Sequence, residues 1–221
     1  MENTKIGNTT IVLVDDHGMV RSGLRALLER EPGFSVVGEA ADGRAAVRLI
    51  QELSPDVVVM DLRMPGLNGI EAARQAIAAK PGVKVIALSG SSDEITTVEM
   101  LRAGATGYVL KDAAFEELVI AIRTVLKGSV YLSPPVASIL VGDYVNGNVA
   151  SRESVFSALS AREREVLQLI AEGKATKEVA STLDISLKTA ETHRRNLMLK
   201  LRVDSVAELT KYAVRQGLTT L

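Results

Sequence analysis

Three aspartates, a serine and a lysine each close a short apolar run. IVLVDDHG ends on Asp15 and Asp16, VVVMDLRMPGLNG carries Asp61, VIALSG ends on Ser89, and GYVLKDA holds Lys111. Apolar runs of this kind are strands, and unpaired carboxylates gathered at adjacent strand ends repel each other and persist where something uses their charge. A hard divalent cation prefers oxygen ligands, and magnesium keeps several waters beside one or two carboxylates. A serine hydroxyl can donate to a phosphoryl oxygen and a lysine ammonium can pair with the same group. Together these residues describe a site that accepts phosphate on a carboxylate. His17, next to the acid pair, reads as a loop or first-turn residue. Arg63 and Ser91 each lie two positions past a site residue and would flank the phosphate.

The elements that must position this chemistry follow from hydrophobic periodicity. Runs at Thr10–Val14, Phe34–Val37, Asp56–Met60, Val83–Leu88 and Thr106–Leu110 are mostly Val- and Ile-rich with little polar alternation, the pattern of strands covered on both faces. Between them, 3.6-residue periodicity predicts helices at Val20–Leu28, Ala45–Leu53, Ile70–Ala79, Ile95–Leu101 and Phe115–Leu126. Five strands each followed by a helix predict a doubly wound parallel (βα)5 sheet over residues 1–127, an α/β unit. Ligands of such sheets sit beyond the carboxyl ends of the strands, where the acids fall. Residues 128–154 are enriched in Gly, Pro, Ser and Asn and read as a linker with one short helix starting at Pro134-Pro135. Residues 155–221 hold four helical patterns and no strand signal, so a small all-α domain completes the chain.

That second domain has its own chemistry. Ser160 and Glu163 have capping-box spacing, Val166, Leu167, Ile170 and Ala171 form a buried face, and Gly173 can end the first helix. A short helix, Lys177–Leu183, turns through Asp184–Ser186 into a third, Leu187–Leu201, on the helix-turn-helix plan. Ala190, Leu197 and Leu201 would pack inward. Lys188, Thr192 and Arg195 recur at i, i+4, i+7, with Thr189, His193, Asn196 and Lys200 beside them. Residues 186–202 carry net charge +4, a bias suited to phosphates and base edges.

Composition sets the bounds. The chain has 221 residues, 26 basic and 27 acidic. The balance hides net −3 over residues 1–130 and net +2 over 131–221. Cysteine is absent, which excludes disulfides, thiolate catalysis and sulfur-held zinc, and suits a reducing cytoplasm. Two histidines make a histidine-built metal site improbable, and no apolar run approaches the 18 residues of a membrane span, so no membrane partner is expected. The N-terminus has no signal-peptide pattern.

Over residues 8–127, Asp15-Asp16, Asp61 with Met64-Pro65-Gly66 and Gly69, Ser89, and Lys111 in GYVLKDA resemble the receiver domain of bacterial two-component response regulators. LSAREREVLQLIAEGKATKEVASTLDISLKTAETHRRNLMLKL resembles the LuxR-type helix-turn-helix, and the order of the two is that of NarL-like regulators. The resemblance implies a cytoplasmic transcription factor rather than an enzyme, with at most slow self-dephosphorylation. A histidine kinase would phosphorylate Asp61. Asp16, Asp61 and the Arg63 backbone carbonyl would hold Mg²⁺, with Asp15 assisting partly through water. Ser89 and Lys111 would contact the phosphoryl group, and Tyr108 would rotate inward as Ser89 is drawn to the phosphate. Lys188, Thr189 and Thr192 would face bases of a double-stranded operator, with His193, Arg194 and Arg195 near phosphate. Val206, Leu209 and Ala213 on the last helix, Val206–Gln216, would pair two domains in the active homodimer. RNA polymerase is a further candidate partner. The receiver is expected to control access to the reader. Asp112 stands where many receivers have proline, and Ala190 where the second family usually has a larger valine. A dehalogenase-type phosphatase would need an acid two residues past Asp61, where Arg63 stands, and the complete acid pocket argues against a receiver that only dimerises.

Overall fold

The computed structural model describes residues 8–145 and 158–219. Its first unit alternates β1 (Thr9–Val14), α1 (Gly18–Leu28), β2 (Phe34–Ala40), α2 (Gly43–Leu53), β3 (Val57–Asp61), α3 (Gly69–Ala79), β4 (Lys84–Ser89), α4 (Glu94–Arg102), β5 (Gly107–Leu110) and α5 (Phe115–Leu126). The strands are parallel in the order β2-β1-β3-β4-β5, so β1, β3, β4 and β5 are consecutive neighbours and their carboxyl ends share one edge. Val57, Val58, Val59 and Met60 are fully buried, as expected for a strand with helices on both faces. One face of the sheet joins Val12, Val58, Met60 and Val85 to α2, α3 and α4; the other joins Ile11, Leu13, Val59 and Ile86 to α1 and α5.

The linker reading needs a correction. Tyr131–Leu132 forms β6, which pairs parallel with β5 and makes the sheet six-stranded. α6 (Pro134–Val145) follows and buries Val136 in the core that holds α4. A two-residue strand between Gly128 and Pro134 is too short to show periodicity, so the segment read as a linker begins as sheet. The remainder of that linker, residues 146–154, lies outside the described residues.

The C-terminal unit comprises α7 (Ala161–Ala171), α8 (Thr176–Thr182), α9 (Leu187–Leu201) and α10 (Val206–Arg215). Val166, Leu167, Ile170, Val179, Ala190, Leu197, Leu209 and Ala213 form its core. Local chemistry sets the helix ends. The expected capping box is present: Ser160 Oγ accepts from the Glu163 amide, and Glu163 accepts from the Ser160 amide at 2.8 Å. Ser186 and Ser205 cap α9 and α10 with their hydroxyls alone, accepting from the Thr189 and Glu208 amides. Gly173, at φ 83°, ends α7 in a conformation few side chains tolerate.

Candidate functional site

At the shared strand edge, Asp15 and Asp61 are buried while Asp16 stays solvent-facing. Lys111, just past β5, reaches across the sheet: its Nζ donates to Asp15 Oδ2 at 2.7 Å and to Asp61 Oδ2 at 2.8 Å. Glycine makes room for this geometry. A Cβ on Gly69, the first residue of α3, would fall 2.0 Å from the Asp61 carbonyl oxygen. Gly69 therefore lets α3 start directly against the strand end that carries Asp61.

The electrostatics follow from one cation serving two carboxylates. Burial, aided by the neighbouring Asp15 charge, pushes the Asp61 carboxyl above the usual carboxylate range, and Lys111 offsets this only in part. Burial also disfavours the Lys111 ammonium, but its two carboxylate partners outweigh that and hold its pKa above the ordinary lysine value. The pocket has a deficit of positive charge. Donor atoms of Asp15, Asp16, His17 and Asp61 lie within 4.8 Å of one another. Three carboxylates beside the backbone of Arg63 form an oxygen-rich set of the kind a hard cation takes, so the residues fit Mg²⁺. His17 stands just before α1 without a side-chain capping bond, and its Nδ1 sits 2.8 Å from Asp16 Oδ1, at the exposed rim.

Ser89 and Tyr108 are tied to one backbone carbonyl. Ser89 Oγ donates to the Ser91 carbonyl at 2.9 Å, and the Tyr108 hydroxyl donates to the same oxygen at 3.1 Å. Tyr108 is fully buried, and that burial raises its phenol pKa. The ring of Tyr108, expected to rotate inward as Ser89 is drawn to the phosphate, lies inside in this structure. The Lys111–Asp112 bond is trans, since the described residues contain no cis peptide.

In the second unit Lys188, Thr189, Thr192 and Arg195 are exposed on α9, along an open groove of about 840 Å³ that Lys188, Glu191, Thr192 and Arg195 help line. Thr192 Oγ1 donates to the Lys188 carbonyl at 2.8 Å, one turn back on the same helix. His193 and Arg194 are half-buried, and Arg194 donates to Thr176 Oγ1 of α8 at 3.3 Å. The last helix corrects the pairing expectation. Leu209 and Ala213 are fully buried in their own domain core, so of the three proposed contacts only Val206, 46% exposed, is available to a partner.

Sequence reasoning missed a polar seam between the units. Arg164 of α7 forms a buried ion pair with Glu71 of α3, Glu165 accepts from Arg44 at 2.8 Å and Gln75 at 3.1 Å, and Gln168 and Glu172 grip residues 64–68. Gly217 lies so close to α4 that a Cβ there would meet Thr96 Cγ2 at 2.4 Å. Arg164, Gln168 and Glu172 are spaced at i, i+4, i+8, one helix face opposite the apolar one. That spacing was the available signal, but a polar helix face ordinarily reads as solvated.

Comparison with known proteins decides the family. Residues 11–123 match the response regulator receiver domain, and residues 157–213 match the bacterial regulatory proteins of the luxR family. The chain belongs to the response regulators. The regulator is 40% identical to the oxygen regulatory protein NreC of Staphylococcus carnosus over 212 residues, covering 94% of this chain and 98% of that protein. Among solved structures it is similar to a LuxR-family two-component response regulator from Aurantimonas, at 42% identity and TM-score 0.60, over 62% of this chain and 97% of that one. It is also similar to the RcsB response regulator of Salmonella typhimurium, at 29% identity and TM-score 0.64, over 97% and 100% of the two chains. The chain thus carries a receiver and a LuxR-type DNA-binding domain. Among the described residues no helix is long and apolar enough to cross a membrane.

Proposed function

We propose that this response regulator is phosphorylated on Asp61 by a histidine kinase with Mg²⁺, and that phosphorylation alters dimerisation and sequence-specific binding to a double-stranded operator in the cytoplasm. The observation that carries the reading is the Lys111 bridge between Asp15 and Asp61, two buried carboxylates on neighbouring strands sharing one ammonium. Asp61 is the buried acid whose β3–α3 loop packs directly beside it, and its Oδ1 accepts from the Arg63 amide at 3.3 Å. An ionised Asp61 oxygen would attack the phosphorus of the kinase's phosphohistidine, forming the O–P bond as the N–P bond breaks and the imidazole leaves, and Lys111 would follow the phosphoryl oxygens. Ser89 would exchange its Ser91 carbonyl for the same group. Asp15, Asp16, Asp61 and the Arg63 carbonyl would hold the cation, which when bound supplies positive charge that one lysine cannot. Release of Ser89 would free one of two hydroxyls at the Ser91 carbonyl, leaving Tyr108 to reset its hydrogen bond. The altered loop would reach α4 through its cap, since Asp93 accepts from the Thr96 amide and lies two residues beyond Ser91.

For DNA, α9 would enter the major groove with Lys188, Thr189 and Thr192 at base edges and His193, Arg194 and Arg195 near phosphate. The solved RcsB–DNA complex, whose RcsB chain is 29% identical over 94% of this chain, supports DNA binding by likeness. The reading is tested by exposing the wild type and Asp61→Asn to acetyl phosphate with Mg²⁺ and measuring the mass added. The wild type is expected to gain one phosphoryl group and the variant none; equal labelling of both would place the acceptor elsewhere.

A further inference from the structure

The loop between β3 and α3 is held from outside its own domain. Gln168, fully buried on α7, makes four hydrogen bonds. Its Oε1 accepts from the Asn68 amide at 2.9 Å and from Asn68 Nδ2 at 2.8 Å. Its Nε2 donates to the Met64 carbonyl at 2.9 Å and to Glu172 Oε1 at 2.7 Å. Glu172 in turn accepts from the Gly66 amide with both oxygens, at 3.0 and 3.2 Å. Two side chains of the DNA-binding domain therefore fix the carbonyl of residue 64, the amide of residue 66 and both polar ends of residue 68.

What these contacts fix matters because of what lies beside them. Arg63 immediately precedes Met64, and its amide already turns back to Asp61 Oδ1. Asn68 caps α3 by accepting from the Glu71 amide at 3.0 Å, and the next residue, Gly69, donates to the Leu62 carbonyl at 2.9 Å while packed against the Asp61 carbonyl. Holding residues 64, 66 and 68, in a loop where the Leu67 amide also donates to the Pro65 carbonyl at 2.9 Å, thus constrains the backbone that leads from Asp61 through the Arg63 carbonyl to α3. The chain entropy that a cation would otherwise have to remove from this loop is already removed by α7.

We infer that Gln168 and Glu172 are positioning residues for the acidic pocket: by clamping residues 64–68, the DNA-binding domain preorganises the Arg63 carbonyl and raises the receiver's affinity for its divalent cation. The inference rests on the proposed function, in which that carbonyl is a Mg²⁺ ligand. Because coupling between two sites is reciprocal, Mg²⁺ in turn strengthens docking of α7.

Calorimetric titration of the full-length chain with MgCl₂, alongside amide hydrogen exchange at Gly66 and Asn68, tests it. Gln168→Ala and Glu172→Ala are each expected to weaken Mg²⁺ binding by about three- to tenfold, the factor that losing one or two net hydrogen bonds represents. Both should speed exchange at Gly66 and Asn68. Glu172→Gln keeps an acceptor for the Gly66 amide and should stay within about twofold of the wild type. Glu172 lies at the rim, so its variants remain informative if Gln168→Ala fails to fold. An unchanged or tighter Mg²⁺ dissociation constant in both alanine variants overturns the inference while leaving the proposed function intact. A wild type that binds no Mg²⁺ overturns the cation site of the proposed function, and the positioning role with it.

Discussion

Lys111 shows how a single residue sets the charge state of the pocket. It bridges Asp15 and Asp61, yet Asp61 still titrates above the usual carboxylate range because burial and Asp15 together outweigh one ammonium. The sign of the consequence follows from linkage. A carboxyl whose folded pKa is raised binds its proton more tightly when folded, so the fold loses stability as pH rises from the ordinary aspartate range through the raised value. At pH 7 without Mg²⁺, Asp61→Asn is therefore expected to raise the melting temperature of the chain. Melting curves against pH check this: the difference should shrink toward pH 3 and on adding Mg²⁺ to the wild type. Asp15, Asp16, Asp61, Ser89 and Lys111 were legible in the sequence because each ends a strand, and strand ends in a parallel sheet converge by topology alone. The burial of Tyr108 was not, because rotamer state depends on the Ser91 carbonyl, which no pattern around residue 108 encodes.

Helix α7 carries two faces. Val166, Leu167 and Ile170 belong to its own domain core, while Arg164, Gln168 and Glu172 face the receiver. The apolar face was legible from periodicity, and the helix bounds from the Ser160 cap and Gly173. The polar face was not, since a second surface supplies its partners and local spacing carries no record of them. Arg164 and Glu71 make the point energetically: broken while docked, such a pair leaves a buried charge costing roughly 3–5 kcal/mol. Undocking returns Glu71 to water, so Arg164→Ala is expected to separate the domains rather than unfold them. Small-angle scattering should show a larger radius of gyration with unchanged helix content. On α10, burial dictates roles that residue type did not. Leu209→Ala is expected to destabilise the C-terminal domain by about 2–5 kcal/mol, as for a cavity in a packed core. Val206→Glu should weaken self-association with little change in melting, read by sedimentation against thermal unfolding. On α9, Lys188→Ala is expected to change sequence preference. Arg195→Ala should weaken all DNA alike and lower the salt slope by about 1, in binding isotherms at several salt concentrations.

At the scale of the whole chain, a near-neutral total of 26 basic and 27 acidic residues conceals a net −3 over residues 1–130 and a net +2 over 131–221. The packing between units adds what the charge split does not show. The receiver was expected to control access to the reader; Lys188, Thr189, Thr192 and Arg195 stay exposed while α7 and the turn after α10 meet the receiver. In this arrangement the two units meet at the α7 seam, and α9 is left uncovered. The two-domain plan was legible because strand and helix periodicities change along the chain, whereas their mutual orientation depends on surfaces far apart in sequence, such as Asn68 and Gln168. The central claim is that phosphate on Asp61 changes how the regulator engages DNA. Selection from random-sequence duplexes, run with and without acetyl phosphate on wild type and Asp61→Asn, tests it most directly. The account predicts a two-fold symmetric site enriched more strongly by phosphorylated wild type and no phosphodonor response in the variant. Identical enrichment by wild type with and without phosphodonor, despite labelling of Asp61, would contradict it.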